Sequence, residues 1–406
     1  MKNWLPIAVL ALIAAPAIFL RLSGAELSPT ADVAIFGTAI VASAFLLTWA
    51  SEVAETEMSA TLALAVLAII AVLPEYAVDI YFAWTAHTTP ENAHFAIANM
   101  TGGNRLLVGF AWPMIFLISW LRTRKKTLSL DPRQNSLSIL VLGIATVYSF
   151  SIPIRGNLSL VDTAITLVIF GSYLWLVSRM PVREVEEFVG PAAAIKMLPV
   201  AQRRAVIAAI FLFAAGVIFA AAEPFASGLV DMGKQLGIDE FILVQWLAPL
   251  ASESPEFLLA GLLAARGRAA AGMTILLSSK VSQWTLLIGS VPAAYSISGT
   301  TLSPLDFDTR QAEEVFLTAA QSLFAVAIFV SFSMSFWEAI LLAVLFTTQL
   351  FFFNTTVRIG YGSLYLLLAL LVFFRDRSGL TMVYRTAREA IVVPQPTSGR
   401  IDKPPG

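Results

Sequence analysis

Residues 67–83 read LAIIAVLPEYAVDIYFA, and residues 243–261 read LVQWLAPLASESPEFLLAG. Each stretch sets a Pro-Glu pair in the middle of an apolar run, Pro74-Glu75 in the first and Pro255-Glu256 in the second. Asp79 and Glu253 add a second carboxylate to each copy. A further apolar segment follows each and ends alike, in Leu106-Leu107-Val108-Gly109 and Leu286-Leu287-Ile288-Gly289. A carboxylate near a bilayer centre is costly unless it is paired, solvated or bound to a cation. Two such sites in a repeated frame imply a cation pathway.

Composition puts that frame in a membrane. The chain has 406 residues, of which 58% are hydrophobic and only 13% charged. Its mean hydropathy is +0.79, well outside the range of soluble domains. A net charge of −1 gives no electrostatic reason to expect a nucleic-acid partner. With no cysteine, disulfides, thiolate metal sites and thiol redox centres are all excluded. His87 and His94 lack metal-ligand spacing, and there is no glycine-rich phosphate loop to suggest ATP hydrolysis. No nucleophile-base constellation points to an enzyme, and no cofactor is implied. The expected partners are inorganic cations, with Na⁺, Ca²⁺ or H⁺ as transported ligands, and the lipid bilayer.

About 20 apolar residues cross the hydrocarbon core as a helix. That length predicts an all-α, polytopic protein with twelve spans, near 4–22, 31–54, 59–86, 92–121, 135–154, 160–180, 204–232, 239–265, 269–297, 311–333, 336–354 and 360–375. The first run follows Lys2 but lacks a clean small-x-small cleavage site, so a retained helix is expected rather than a signal peptide. Arg122, Arg124, Lys125, Lys126 and Arg133 follow the fourth span. Arg179, Arg183, Lys196, Arg203 and Arg204 follow the sixth, Arg266 and Arg268 the eighth, and Arg375, Arg377, Arg385 and Arg388 the last. The positive-inside rule makes that shared side cytoplasmic, with both termini inside. The acidic loop of Glu52, Glu55 and Glu57 is the one exception. A prokaryotic plasma membrane is the expected location.

With twelve spans the two Pro-Glu stretches run in opposite directions, the plan of inverted-repeat transporters that bind at the midplane. The expected organisation is an N-terminal helix (1–30), a first five-helix repeat (31–180), a charged proline-rich linker (181–203), a second repeat (204–355), and a last helix with a polar tail (356–406). The tail is expected to be disordered at its tip.

Glu75 and Asp79 are four residues apart, which puts both carboxylates on one helix face. Pro74 and Pro255 each free a backbone carbonyl about a turn earlier. Carboxylates beside freed carbonyls suit hard cations, with Glu75 and Glu256 as the metal ligands. The following segments, IANMTGGNRLLVG and LLSSKVSQWTLLIG, supply polar partners. Counting forward from the Pro-Glu acids pairs Asn99 with Lys280; counting back from the Leu-Leu-x-Gly ends pairs Met100 with Lys280. Ordinary proline kinks, with the acids paired to Arg105 or Lys280, are the bland alternative. Glu223-Pro224 in the seventh span is a further candidate, equally readable as a kink beside a solvated acid. Gln245 and Trp246 read as packing residues.

These residues resemble the sodium/calcium exchanger (calcium/cation antiporter) superfamily. Its two inverted repeats each carry a Gly-Thr-Ser-x-Pro-Glu motif followed by a Gly-Ser-Asn-type helix. The resemblance implies that Glu75 and Glu256 are central cation ligands. It also implies that Ser252 stands at the second repeat's Thr and Asn99 at the first repeat's Asn. The secondary ligands are then Asp79, Glu253, Asn99, Ser252 and Ser279. Three departures bear on the substrate. Ile70-Ala71-Val72 replaces Gly-Thr-Ser, Glu253 replaces the second Ser, and Lys280 stands where a ligand Asn is expected. An ammonium there repels Ca²⁺, so Lys280 is expected to be charge-compensating or proton-linked, with Arg105 a second buried positive charge that cannot deprotonate.

The expected function is therefore a secondary cation antiporter of the sodium/calcium exchanger type, with Glu75 and Glu256 in one pocket. A Na⁺/H⁺ or other proton-coupled antiporter without Ca²⁺ transport is the first alternative. The second is a non-transporting protein held together by closed buried ion pairs. Four core acids (Glu75, Asp79, Glu253, Glu256) against two bases (Arg105, Lys280) argue against complete pairing.

Overall fold

The structure is a computed structural model that describes residues 3–25, 27–54, 56, 73–180, 188, 190–352 and 354–392. Two helices open the chain, α1 (Leu5–Ser23) and α2 (Pro29–Ala54). The Pro-Glu helix α3 is described over Leu73–Thr85. Next comes a long rod in three pieces: α4 (Asn92–Leu106), a π turn (Leu107–Ala111) and α5 (Trp112–Thr123). The first half closes with α6 (Pro132–Ser149) and α7 (Leu160–Val177).

The second half repeats the order. It has α8 (Val200–Leu236), the Pro-Glu helix α9 (Glu240–Ala265), and a second rod of α10 (Ala269–Ser282), a π turn (Gln283–Leu287) and α11 (Ile288–Gly299). Then follow α12 (Thr309–Phe329) and α13 (Phe336–Gln349). Helices α14 (Thr355–Arg375) and α15 (Gly379–Val392) end the described chain. By length and composition, eight of the described helices can cross a membrane. The other four predicted spans fall on α3, α9, the α10–α11 rod and α13, with residues 59–72 of the span assigned to α3 outside the described residues.

Two small sheets show how the halves relate. Strand β1 (Thr127–Ser129) pairs antiparallel with β4 (Ser333–Ser335), and β2 (Asn157–Leu158) with β3 (Leu305–Asp306). Each sheet thus joins one strand from each half. Trp112 and Ile288, the first residues after the two π turns, are 176 residues apart (288 − 112). The same separation carries Ser129 to Leu305 and Asn157 to Ser333, so exchanging the halves maps one sheet onto the other. It also carries one capping box to another, Ser159 with Asp162 at α7 and Ser335 with Glu338 at α13. In both boxes the serine and the acid satisfy helix-end N–H groups reciprocally. That agreement in local detail marks a pseudo-two-fold repeat.

Two segments differ from the sequence reading. The polar tail after Arg375 contains α15, which packs on α6 and buries Val383 and Ala387. The linker contains a short helix, Pro191–Lys196, that packs on α2 and α8. Both are too short or too polar to register as spans, and both pack on neighbouring helices. Residues Ile70, Ala71, Val72, Glu55, Glu57 and Arg183, and the tail tip, lie outside the described residues.

Candidate cation site

The site is organised by four consecutive residues of α4. Successive residues on an α-helix project about 100° apart, and Gly102, Gly103, Asn104 and Arg105 meet four different partners. A Cβ on Gly102 would overlap the Gln245 carbonyl oxygen of α9. Pro249, four residues on from Gln245, has no N–H to offer that carbonyl. Glycine here lets the two helix backbones touch at a carbonyl the proline has released.

The acids meet at Gly103. A Cβ on it would strike Glu253 Oε1 and would lie 3.2 Å from Glu75 Oε1. Two carboxylates, one from each half of the chain, therefore converge on one bare patch of backbone. Glu75, Asp79 and Glu253 are buried, and Glu256 is partly so. Glu75 lies near enough to Glu253, Asp79, Glu256 and Lys280 to feel each charge. Asn99 Nδ2 donates to Asp79 Oδ1 at 2.9 Å. Ser279 faces Glu256, and Gln283 faces Glu253. Ser252 donates its hydroxyl to the Ala248 and Pro249 carbonyls, each at 3.2 Å, so its proton points along its own helix.

Glu75 Oε1, Asp79 Oδ2, both carboxylate oxygens of Glu253 and Glu256 Oε2 are buried with no hydrogen-bond donor among the described residues. Among the described residues, none of these four acids forms an ion pair. Nor do three acidic or histidine side chains close around a single point among the described residues. The convergence is of two carboxylates, with the others behind them. An oxygen-rich, anionic pocket of this kind suits hard cations or protons.

Lys280 is fully buried. Its Nζ donates to Asn104 Oδ1 at 2.7 Å and to the Asn104 carbonyl at 3.1 Å, and sits 4.6 Å from the Trp284 ring centroid. It feels Glu253 and Glu75 without forming an ion pair with either. Asn104 and Lys280 are 176 residues apart, the spacing of the structural repeat. They are counterparts, and a residue that touches its own counterpart lies on the symmetry axis. This corrects the pairing of Lys280 with Asn99 or Met100. Counting from the Pro-Glu acids crosses a loop that is longer in the first copy, Thr85 to Asn92 against Ala265 to Ala269. Counting from the Leu-Leu-x-Gly ends fails because Leu107 opens its π turn whereas Leu287 closes its own.

Arg105 points away from the acid pocket. It pairs with Glu314 of α12, and its guanidinium lies 5.0 Å from the Trp246 ring centroid. Arg358 of α14 reaches Glu314 at 3.2 Å and Glu313 at 4.0 Å. All four charged side chains are buried. Arg105 is thus no partner of the four pocket acids, and Trp246 is more than packing. The count of four core acids against two bases also changes, since Glu313, Glu314 and Arg358 belong to the interior. A signal was present in the sequence: Glu313-Glu314 sits inside the predicted span 311–333. Its partner, Arg358, lay in a gap between predicted spans.

Glu223 on α8 pairs with Arg21 of α1. It lines a cavity of about 220 Å³ with Phe219 and Ala222 of α8 and Ala77, Ile80, Tyr81 and Trp84 of α3. His87 Nε2 lies 2.9 Å from the Tyr295 carbonyl oxygen, and His94 pairs with Asp308 at 3.1 Å.

The chain is similar to a protein family and to several solved structures. The sequence profile of the sodium/calcium exchanger protein family matches residues 31–179 and 206–355. The crystal structure of the H⁺/Ca²⁺ exchanger CAX superposes with a TM-score of 0.92 at 39% identity, covering 96% of this chain and 99% of that one. The Ca²⁺/H⁺ antiporter YfkE, at 16% identity and TM-score 0.61, covers 85% of this chain and 99% of its own. The sodium-calcium exchanger NCX_Mj, also 16% identical, has a TM-score of 0.52 and covers 79% and 96%. The last two show a shared fold only. No curated protein matches.

Proposed function

This chain belongs to the sodium/calcium exchanger family, and on that premise we propose that it is a Ca²⁺ antiporter of the membrane in which protons are the counter-ion. The observation that carries this reading is the meeting of Glu75 and Glu253 at Gly103. Two carboxylates in so small a buried space require a cation between them, because like charges there disfavour joint ionisation. A divalent ion and a pair of protons are alternative ways to meet the same requirement. Loading one then releases the other, which is the stoichiometric core of an antiporter. The 39% identical structural relative, itself an H⁺/Ca²⁺ exchanger, supports the choice of ions.

Glu75 and Glu253 are the primary ligands in this reading, with Glu256, Asp79, Asn99, Ser252, Ser279 and Gln283 completing the oxygen set. Lys280 places an amine on the symmetry axis whose positive charge, when protonated, limits how many cations enter at once. Its bond to Asn104 keeps that charge at the pocket wall rather than in it. Alternating access follows from motion of α2 and α8, which pack on each other and on the Pro-Glu helices. Both termini are cytoplasmic in this arrangement.

Purified protein in proteoliposomes tests the proposal. An outwardly or inwardly directed pH step should drive Ca²⁺ flux in the opposite direction, and Glu75→Gln should remove it. Ca²⁺ flux driven by a Na⁺ gradient and indifferent to pH would transfer the reading to Na⁺ coupling. No flux of Ca²⁺, Na⁺ or H⁺ under any gradient would favour the non-transporting alternative.

A further inference from the structure

We propose that the buried cluster of Arg105, Glu314 and Arg358 is a positioning clamp for α4. It holds that helix at the rotation that presents Gly103 to the two acids and Asn104 to Lys280. The clamp brings α14, a helix beyond the internal repeat, into the cation-binding apparatus. The inference rests on the acid pocket being the transport site.

The geometry argues as follows. Gly103, Asn104 and Arg105 are consecutive, so their directions are locked together by the helix itself. A turn of α4 by one residue, about 100°, would bring Asn104 to the acids and Arg105 to Lys280. In the acid pocket such a turn is opposed by Glu253, which a Cβ at the Gly103 position would strike, and by the Asn99–Asp79 hydrogen bond. The opposite face adds a second and stronger resistance. Arg105 is gripped by Glu314 and lies on the Trp246 ring, and Glu314 is in turn held by Arg358 at 3.2 Å. Separating these buried charges leaves each unpaired in a low-dielectric interior, which is far more costly than breaking an exposed pair. Arginine suits this role because its fork is planar and its charge permanent.

A π turn adjoins the clamp. Leu107–Ala111 begins two residues after Arg105, and a π turn widens the helix and changes the rotation of everything beyond it. The clamp thus holds α4 at the point where its rotation changes relative to α5. The matching rod has no such device: Val281, which follows Lys280 as Arg105 follows Asn104, is apolar. There the rotation is fixed by Lys280 itself, through Asn104. One clamp then sets both rods, since α10 takes its orientation from a residue that α4 positions.

The cluster also balances its own charge, Arg105 and Arg358 against Glu313 and Glu314, all buried. An Arg105 without Glu314 would place a permanent positive charge two residues from the point where the acids meet. That would oppose the cation the pocket attracts.

The test replaces both partners, Arg105→Met with Glu314→Met, so that no lone charge remains between them. Ca²⁺ titration of the full-length detergent-solubilised protein and Ca²⁺ flux in proteoliposomes are compared with wild type. The expected result is a folded, monodisperse protein whose half-saturating Ca²⁺ concentration rises by roughly 10- to 100-fold, the usual loss when a ligand's supporting contacts are removed. Its maximal flux at saturating Ca²⁺ should fall far less. A merely structural cluster would change yield and melting temperature but leave the half-saturating concentration of the surviving protein alone, and that outcome overturns the inference. If the double variant does not fold, Arg105→Lys keeps the charge and loses the fork. An unchanged half-saturating concentration in that variant also overturns it. Absence of Ca²⁺ binding in wild type would instead remove the antiporter reading on which the clamp depends.

Discussion

Two polar centres sit back to back on α4, two residues apart in sequence, and they are built on opposite principles. At Gly103 two carboxylates converge with no ion-pair partner among the described residues. At Arg105 two guanidiniums and two carboxylates close on one another. The first centre is incomplete as protein alone and gains most from an added cation. The second is balanced in charge, two guanidiniums against two carboxylates, and gains nothing from one. Burial of charge is therefore not itself a mark of transport; the mark is burial of charge that the fold leaves uncompensated. The comparison also separates two kinds of residue that a sequence shows identically, as acids within apolar helices.

The largest expected effect breaks the first centre. Glu75→Gln should abolish proton-driven Ca²⁺ flux in proteoliposomes while the protein remains folded, because it removes a charge that had no partner. Retained flux would show that the meeting at Gly103 is incidental. Next comes the second centre. Glu314→Leu strands Arg105 in the interior, leaves Arg358 only Glu313, and should destabilise the protein by about 3–5 kcal/mol, read as a drop in melting temperature in detergent. Glu253→Gln, the matched removal from the acid pocket, should leave that temperature unchanged or raise it. Equal losses in the two variants would erase the contrast.

A smaller effect is expected between the two. Lys280→Asn removes a like charge that cations in the pocket feel, and should raise Ca²⁺ affinity roughly tenfold, a modest like-charge repulsion at intermediate effective dielectric. Its flux should also depend less on pH. Unchanged affinity in a folded Lys280→Asn protein would confine Lys280 to a structural role. The smallest effect sharpens the boundary itself. Gly103→Ala adds one methyl where Glu253 and Glu75 approach, and Glu253 must shift to admit it. A several-fold loss of Ca²⁺ affinity with less than about 3 kcal/mol of destabilisation is the expected result. Gly102→Ala meets the rigid Gln245 carbonyl instead and should cost stability before affinity.

Much of the fold was legible because a membrane span is a local property. Some 20 apolar residues define a span wherever they occur, and every predicted span falls on a helix over the residues the structure describes. The repeat was legible for the same reason, through Pro74-Glu75 and Pro255-Glu256. The acids that gather in the pocket were also readable, since Glu75, Asp79, Glu253 and Glu256 stand out against their apolar neighbours.

What tertiary structure decided was rotation and partnership. Asn104 rather than Asn99 meets Lys280 because the first copy has the longer loop and its Leu-Leu-x-Gly motif sits differently on its π turn, and neither leaves a signature in composition. Arg105 leaves the acids because Glu314, far along the chain on α12, is a better-placed counter-charge. Glu253 rather than Glu256 shares the Gly103 patch with Glu75 because the helix packing turns that face inward. Sequence alone determined which charges enter the membrane, since that depends on the apolar residues beside them. Only the packed bundle determined which charges find each other, since a helix's rotation is set by its neighbours and not by its own residues.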